Sequence, residues 1–451
     1  MPNFKELKKL KKIKINKELF LNVLFVLFSA SIVERVVTAF LKIHTCYDWN
    51  TSEFLINYQG GFVRRGLLGE ILFFFTRTFN MNAAQAELVI KIISLIFLAA
   101  VCVFFIMAFL KKGYSLYILP LCFFLGGVAL ASEWIRKDYL LFCFFIPIFY
   151  FYEKNNLPMP IKIIIANILT IPIILTHEVF AFFTFPILFL LFFNHYKNRG
   201  FPRSVIISFL CLLPGTLAFL STLLWNGNQE IAQNIWNSWA EKLSLDAEKM
   251  GHAVNAISWS AYDAFKKHFT TNFLTIARDV PIPSLLGWMI TFPIIYYIST
   301  NALLVFRKNE KIFTQRDKSI LSYILVFQLL CLSPVFTILS MDYVRVIFYW
   351  IASSFAIFLL IPVEKITELF PPVFVRFVRR VNNLFDKYIP PTKKLVVLFM
   401  LFLGICPVSF RILGIIKLTM VFNIIHLLFL PFIDLFDIQR SIEILRGTST
   451  L

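Results

Sequence analysis

Long apolar runs separated by short polar segments occur along most of the chain. A helix of about 20 apolar residues is long enough to cross a bilayer, so each run predicts a transmembrane helix. The predicted spans are 19–40, 87–110, 114–132, 138–152, 161–177, 179–194, 204–225, 283–306, 319–340, 346–363 and 395–412, with the apolar stretch 413–436 left unassigned. The predicted fold class is all-α: one integral membrane domain over 1–451 with about 11–12 transmembrane helices.

Basic residues are concentrated at the N-terminus and in every second connection between the predicted spans. The first 18 residues contain seven lysines and two glutamates, and no small-residue cleavage site follows the first apolar run, which argues against a signal peptide. This segment and five connections together hold 26 of the 44 basic residues. Lysine and arginine are enriched in cytoplasmic loops, so the pattern predicts a cytoplasmic N-terminus.

Two long polar segments then fall on the extracytoplasmic side, at 44–86 and 226–283. The apolar stretch 66–79 within the first is too short to span and predicts a helix lying in the membrane interface. The second, which we call the large loop, contains three tryptophans and predicts helices close to the membrane. On the cytoplasmic side, 364–394 predicts an amphipathic surface helix.

The composition supports the same class of protein. The chain of 451 residues is 59% hydrophobic and 16% charged, with a mean hydropathy of +0.76. Soluble proteins are about 45–50% apolar and about 25% charged, so a soluble enzyme and a disordered chain are excluded. The net charge of +18 follows from the cytoplasmic basic loops and does not indicate nucleic-acid binding. Six of the seven cysteines lie in apolar runs, which predicts no disulfide framework.

Four clusters of charged residues fall on the predicted extracytoplasmic side. Ionisable groups are costly near a membrane, so their positions are informative. In the first cluster, two glycines and two arginines precede the interfacial helix, an arrangement that suits an anion such as phosphate. Its residues are Gly60, Gly61, Arg64 and Arg65, with the carboxylates Asp48 and Glu53 upstream.

The other three clusters lie at short turns. They are Glu133, Arg136, Lys137 and Asp138; His177 and Glu178; and Asp342 and Arg345. The four clusters have simpler interpretations as, in order, a headgroup anchor, a self-neutralising turn, a polar turn and an intrahelical ion pair. Together they predict one extracytoplasmic site in which arginines bind phosphate and a carboxylate or histidine accepts a proton.

With these residues in view, the chain resembles the membrane glycosyltransferases of bacterial surface-polysaccharide assembly, namely O-antigen polymerases and GT-C glycosyltransferases. The resemblance lies in the number of spans, the length, the large loop and the arginines of the outer segments. GT-C enzymes carry an acidic residue in the first outer loop, followed by interfacial helices. Asp48 and the stretch 66–79 correspond to that arrangement, although the acidic dipeptide of some members is absent.

The resemblance implies glycosyl transfer from an undecaprenyl-linked donor at the periplasmic face of the inner membrane. Repeat-unit polymerisation is favoured, and addition of single-sugar side branches or transport of a lipid-linked oligosaccharide are the alternatives. Asp48, His177 or Glu178 would act as the base, and Arg64, Arg65, Arg136, Lys137 and Arg345 would bind phosphate. Gly60, Gly61, Glu53, Glu133, Asp138 and Asp342 would support the site.

The expected partners are the undecaprenyl-linked glycan donor, a glycan acceptor, membrane lipids and a chain-length regulator. No nucleic-acid partner is expected. The chain contains no P-loop and no dinucleotide-binding glycine motif, and the His177–Glu178 pair is not a zinc-binding HExxH sequence. We therefore predict no cofactor and no metal ion.

Overall fold

A computed structural model gives the structure of most of the chain. It describes residues 17–42, 46–121, 124, 134–154, 156–274, 276–277, 280–340, 342–403 and 419–429. Glu133 therefore lies outside the described residues. So do most of the predicted span 114–132 and parts of the stretches 395–412 and 413–436.

Helices form nearly all of the described structure. Before the large loop they are α1 (Lys17–Leu41), α2 (Trp49–Ser52), α3 (Gly66–Thr78), α4 (Ala83–Lys112), α5 (Asp138–Glu153), α6 (Met159–Thr176), α7 (Phe180–Tyr196) and α8 (Phe201–Leu224). The large loop contains α9 (Gln229–Leu243), α10 (His252–Asn255) and α11 (Ala261–Phe269). After it come α12 (Ser284–Val305), α13 (Gln315–Pro334), α14 (Tyr343–Leu360), α15 (Val363–Leu369), α16 (Pro372–Tyr388) and α17 (Lys393–Phe402).

Seven helices in the described part of the chain are long and apolar enough to cross a membrane. They are Glu18–Leu41, Ala83–Lys112, Met159–Thr176, Phe180–Arg199, Phe201–Leu224, Gln315–Leu339 and Tyr343–Leu360. Shorter apolar helices occur at Thr291–Val305 and Met420–Phe429. The prediction of a polytopic helical membrane protein is confirmed at this level.

The all-α prediction omits one small element. Strands β1 (Ile276–Ala277) and β2 (Val280–Pro283) form an antiparallel pair at the end of the large loop. Runs this short carry no alternating pattern that a sequence could reveal.

Polar side chains join the long helices. Apolar side chains gain little from packing in lipid, so buried amides and small residues are needed to hold helices together. Asn167 in α6 donates to the carbonyl of Cys211 at 2.8 Å and accepts from the amide of Gly215 at 3.2 Å. Both partners flank Pro214, which interrupts the hydrogen bonding of α8. Asn167 therefore locks α6 against α8 at its proline.

The first half of the large loop is fastened to the first polar segment. The Trp239 indole donates to the carbonyl of Leu55 at 2.6 Å, and the amide of Ala253 donates to the Ser52 hydroxyl at 2.9 Å. Gly60 lies so close to α9 that a Cβ there would be 2.5 Å from the Ile231 carbonyl oxygen. These contacts hold the first half of the large loop against residues 46–60.

The predicted surface helix at 364–394 is divided into α15 and α16, and α16 docks on the bundle. Buried Lys318 in α13 contacts Asp386 in α16 at 2.6 Å, and Asn382 accepts from the Tyr296 hydroxyl at 2.6 Å. The opposite face of α16 exposes Val373 and Phe377. One face of this helix thus belongs to the core, which a simple surface location did not anticipate.

Candidate functional site

The four charged clusters meet at one end of the helix bundle. Helices α3, α5 and α14 begin there, and α6 ends there. Ion pairs join residues separated by more than 100 positions, as in Arg65 to Glu178 and Arg345 to Asp138. The sequence prediction that these turns share one site agrees with this arrangement.

Arg65 and Glu178 form the most direct of these pairs. The Arg65 guanidinium reaches Glu178 with Nη2 at 2.6 Å from Oε1 and Nε at 2.9 Å from Oε2, which is a bidentate geometry. Arg65 has φ of +65°, a left-handed conformation that costs energy for a residue with a Cβ. This backbone geometry starts α3 and turns the guanidinium toward Glu178.

Glu53 is a buried carboxylate that links three parts of the site. Its side chain is 1% exposed, and its Oε1 lies 3.7 Å from Arg345, 3.7 Å from His177 and 4.0 Å from Arg65. Burial alone would raise the pKa of Glu53, but the positive charge of Arg345 and the other cations holds it below its usual range. Glu53 therefore stays ionised and holds Arg65 and Arg345 near each other.

A second chain of ion pairs runs along the start of α14. Arg345 Nε donates to Asp138 at 2.8 Å, and Asp138 also accepts a hydrogen bond from the Tyr349 hydroxyl. Arg345 Nη1 is 3.8 Å from Asp342, which in turn contacts Arg136 at 3.2 Å. Asp342 is 35% exposed, whereas Asp138 is fully buried. Of the two carboxylates in this series of ion pairs, Asp342 is therefore the one that a substrate can reach.

A cavity of about 600 Å³ opens beside these residues. Its charged lining consists of Arg64, Arg65, Arg136, Glu178, Lys267, Asp342 and Arg345, with His177, His268 and Tyr349 as further polar groups. One wall is apolar and is formed by Phe182, Leu223, Val335, Ile338 and Leu339. The cavity thus has both charged and apolar lining residues.

The charges of the site do not cancel. Six cationic side chains oppose four carboxylates: Arg64, Arg65, Arg136, Lys137, Lys267 and Arg345 against Glu53, Asp138, Glu178 and Asp342. Two positive charges remain over, in a setting where burial strengthens electrostatic interactions. The excess charge favours an anionic ligand.

Several predicted site residues lie away from the cavity. Lys137 is fully buried and donates to the backbone carbonyl of Arg65 at 3.1 Å, so it supports the arginine and does not face a ligand. Asp48 starts α2, and it is the next residue, Trp49, that lines the cavity. Gly61 forms a turn with φ of +112°, and Gly60 packs on α9. Lys137 was expected to bind phosphate, and the structure instead places it behind the Arg65 backbone. Gly60 and Gly61 were expected to support an anion site, and the structure instead places them in a turn against α9.

His177 lines the cavity, but its ring nitrogens face the protein. Nδ1 accepts from the amide of Val179 at 3.4 Å, which assigns the proton to Nε2, and Nε2 lies 3.7 Å from Glu53. Burial, reinforced by the charge of Arg65, places the pKa of His177 well below its usual value. Glu178 is held by Arg65, and despite its burial the arginine keeps its pKa well below the usual range. Both residues are therefore poorly arranged as bases.

Several of the cavity residues were not indicated by the sequence. Lys267 and His268 come from α11 in the large loop, and Trp49 comes from the start of α2. The signal for the first two was weak, because α11 is a short amphipathic segment, AYDAFKKHF. The direction in which its side chains point depends on the path of the whole loop. Tyr349, one turn after Arg345 on α14, could have been found from its helical spacing.

Comparison of the chain with protein-family models, with curated proteins and with solved structures found no match to any of them. In the part of the chain that the structure describes, no group of three His, Cys, Asp or Glu side chains is arranged to hold a metal ion. The chemistry of the site therefore has to be inferred from its geometry alone.

We expect Lys137 to make the folded protein more stable as the pH becomes alkaline. Its burial, opposed by the charge of Glu53, lowers its pKa to about 8. The unfolded chain binds this proton up to about pH 10.4, so the folded state becomes more stable as the pH rises through this window. Thermal unfolding of the purified protein and of Lys137→Met should be measured from pH 7 to 10. Over this range the Tm of the unaltered protein should rise relative to the Tm of the variant. Parallel curves would contradict this expectation.

Proposed function

We propose that this chain is a membrane glycosyltransferase that uses a polyprenyl-linked sugar donor in surface-polysaccharide synthesis. The observation that carries the proposal is a cavity lined both by an excess of cationic side chains and by apolar side chains. A polyprenyl (pyro)phosphate sugar has the matching parts: an anionic group, an isoprenoid chain and a sugar.

The apolar wall supports a lipid substrate. Leu223 and Leu339 line the cavity and are 53% and 48% exposed. In a membrane, such side chains face acyl chains. An isoprenoid tail would pack along these leucines and the Val335–Leu339 segment while its phosphate binds the arginines.

Arg64, Arg65 and Arg136 are the phosphate ligands in this mechanism. Arginine binds phosphate through two parallel N–H bonds, and it stabilises the negative charge that develops on a leaving phosphate. Arg65 and Arg136 are held by Glu178 and Asp342, so they need no reorganisation when the substrate enters. Arg345 is held by Asp138, and it adds positive charge to the cavity lining.

The reaction is a single displacement. The acceptor hydroxyl oxygen attacks the anomeric carbon, the bond from that carbon to the phosphate oxygen breaks, and polyprenyl (pyro)phosphate leaves with the electron pair. The configuration at the anomeric carbon is inverted. The hydroxyl proton passes to Asp342, which replaces the bases Asp48, His177 and Glu178 considered from the sequence because it is the more exposed carboxylate in the cavity.

The basic connections orient the protein with its N-terminus in the cytoplasm of a bacterial cell and its cavity toward the periplasm. The donor is then a lipid-linked sugar, because nucleotide sugars are absent from that compartment. Polymerisation of repeat units is the preferred reaction, with a chain-length regulator as a partner. Side-branch addition is the alternative within the same chemistry.

Surface polysaccharide from a deletion strain tests this function. Loss of the long-chain ladder with one repeat unit retained is expected for a polymerase, while a full ladder with altered sugar composition identifies a side-branch transferase. Complementation with the unaltered gene should restore either defect. Unchanged polysaccharide in the deletion strain would contradict the proposal.

A further inference from the structure

The large loop has two parts with different surroundings. Its first part, α9 and α10, is pinned to residues 46–60 as described above. Its second part begins at Trp259 and Ser260, and Ser260 caps α11 by accepting from the amide of Asp263 at 3.0 Å. Helix α11 then packs against the Val335–Leu339 segment, which forms the apolar wall of the cavity. The second part therefore lies beside this wall and contributes residues to the cavity lining.

Helix α11 presents one face to the cavity and the other to the exterior. Ala264, Phe265, Lys267 and His268 line the cavity. These positions follow the spacing of one helical face. Tyr262 is 70% exposed, and Lys266 and Lys267 are both exposed. Of the two adjacent lysines, Lys267 lines the cavity and Lys266 does not, although they carry the same charge on the same helix.

Lys267 and His268 have the chemistry of ligand-binding groups. The Lys267 ammonium lies 3.7 Å from the centre of the Trp259 ring, a contact that holds it at the cavity without neutralising its charge. His268 Nδ1 is buried and has no hydrogen-bond partner among the described residues. An unpaired buried nitrogen is costly unless a ligand completes it.

The surroundings of His268 make it a hydrogen-bond acceptor. Burial lowers its pKa to about 4, and the charges of Lys267, Arg64 and Arg65 act in the same direction. The imidazole is neutral at physiological pH and so retains one acceptor nitrogen. A sugar hydroxyl next to the bound phosphate is a donor of the required kind.

We propose that α11 is the substrate-binding lid of this cavity, with Lys267 contacting the donor phosphate and His268 accepting a hydrogen bond from a sugar hydroxyl. This inference rests on the proposed function and adds to it two binding residues from the large loop. It assigns to the loop a direct part in substrate recognition.

Binding of undecaprenyl phosphate to the purified full-length protein in nanodiscs tests the role of Lys267. We expect Lys267→Met to weaken binding about tenfold, because one phosphate contact is lost. The matched control is Lys266→Met, which removes the same charge from the same helix and should change the dissociation constant less than about twofold. Lys267→Arg should restore most of the affinity.

The role of His268 is tested in the same preparation with the sugar-bearing donor. We expect His268→Ala to raise the KM for that donor about tenfold while binding of undecaprenyl phosphate stays unchanged, and His268→Gln, which keeps an acceptor, to lie between. Equal effects of the two lysine variants, or an unaltered KM in His268→Ala, would overturn the lid assignment. Failure of the unaltered protein to bind undecaprenyl phosphate would instead overturn the proposed function, and the inference with it.

Discussion

Replacing Arg65 with methionine should reduce glycosyl transfer by about 10²- to 10³-fold, the usual effect of removing one group that stabilises developing charge. The same change should lower the free energy of unfolding by about 3–5 kcal/mol, because it leaves a buried carboxylate without its partner. Glu178 is 13% exposed and accepts three hydrogen bonds from Arg65, whereas Arg64 lies 3.9 Å away. Glu53 would lose one of its neighbouring cations as well.

Two further variants separate the loss of fold from the loss of function. Arg77→Met removes an exposed arginine from the other end of α3 and should change neither transfer nor thermal stability. The double variant with Arg65→Met and Glu178→Met removes both charges and should recover a large part of the stability. It should remain inactive, because no cation replaces Arg65 at the cavity. Activity in the double variant would show that Arg65 serves only to balance Glu178.

The sequence was sufficient to predict the helical class and several of the charged residues that meet. Helices α3 and α14 begin within three residues of the predicted bounds, because apolar runs and polar turns mark them directly. Counting basic residues placed the four clusters on one side of the membrane, and they do lie in contact. The reason is the high free-energy cost of an unpaired charge in lipid. A charged turn near the membrane is therefore expected to pair with another charged turn.

What the sequence could not predict is the direction in which each side chain points. Arg136 and Lys137 are neighbours with similar chemistry, yet one lines the cavity and the other is buried under Arg65. The difference arises from the turn that precedes α5, which no local pattern encodes. The position of α11 over the cavity is a second example, because it depends on how α9 and α10 attach to another segment.

Exposure is the third property that only the fold supplies, and it changes the choice of base. Glu178 and Asp342 both line the cavity and both contact arginines. Glu178 is enclosed in a bidentate pair, whereas Asp342 is 35% exposed and contacts Arg136 through a single oxygen at 3.2 Å. A carboxylate oxygen of Asp342 is therefore available to an acceptor hydroxyl, a difference between the two residues that no sequence pattern indicates.

Asp342→Asn should therefore lower kcat by about 10²- to 10⁴-fold, the range for loss of a general base. The amide keeps the size of the side chain but cannot take the proton. Binding of undecaprenyl phosphate should stay the same or become tighter, because the cavity loses a negative charge next to Arg136 and Arg345. A fall in kcat with retained lipid binding separates a base from a residue that only holds the arginines in place.

The matched control is Glu230→Gln, which neutralises an exposed carboxylate in the first turn of α9 and should leave both kcat and binding unaltered. Full turnover by Asp342→Asn would exclude this residue as the base and return the choice to Glu178, whose release from Arg65 would then have to precede each transfer.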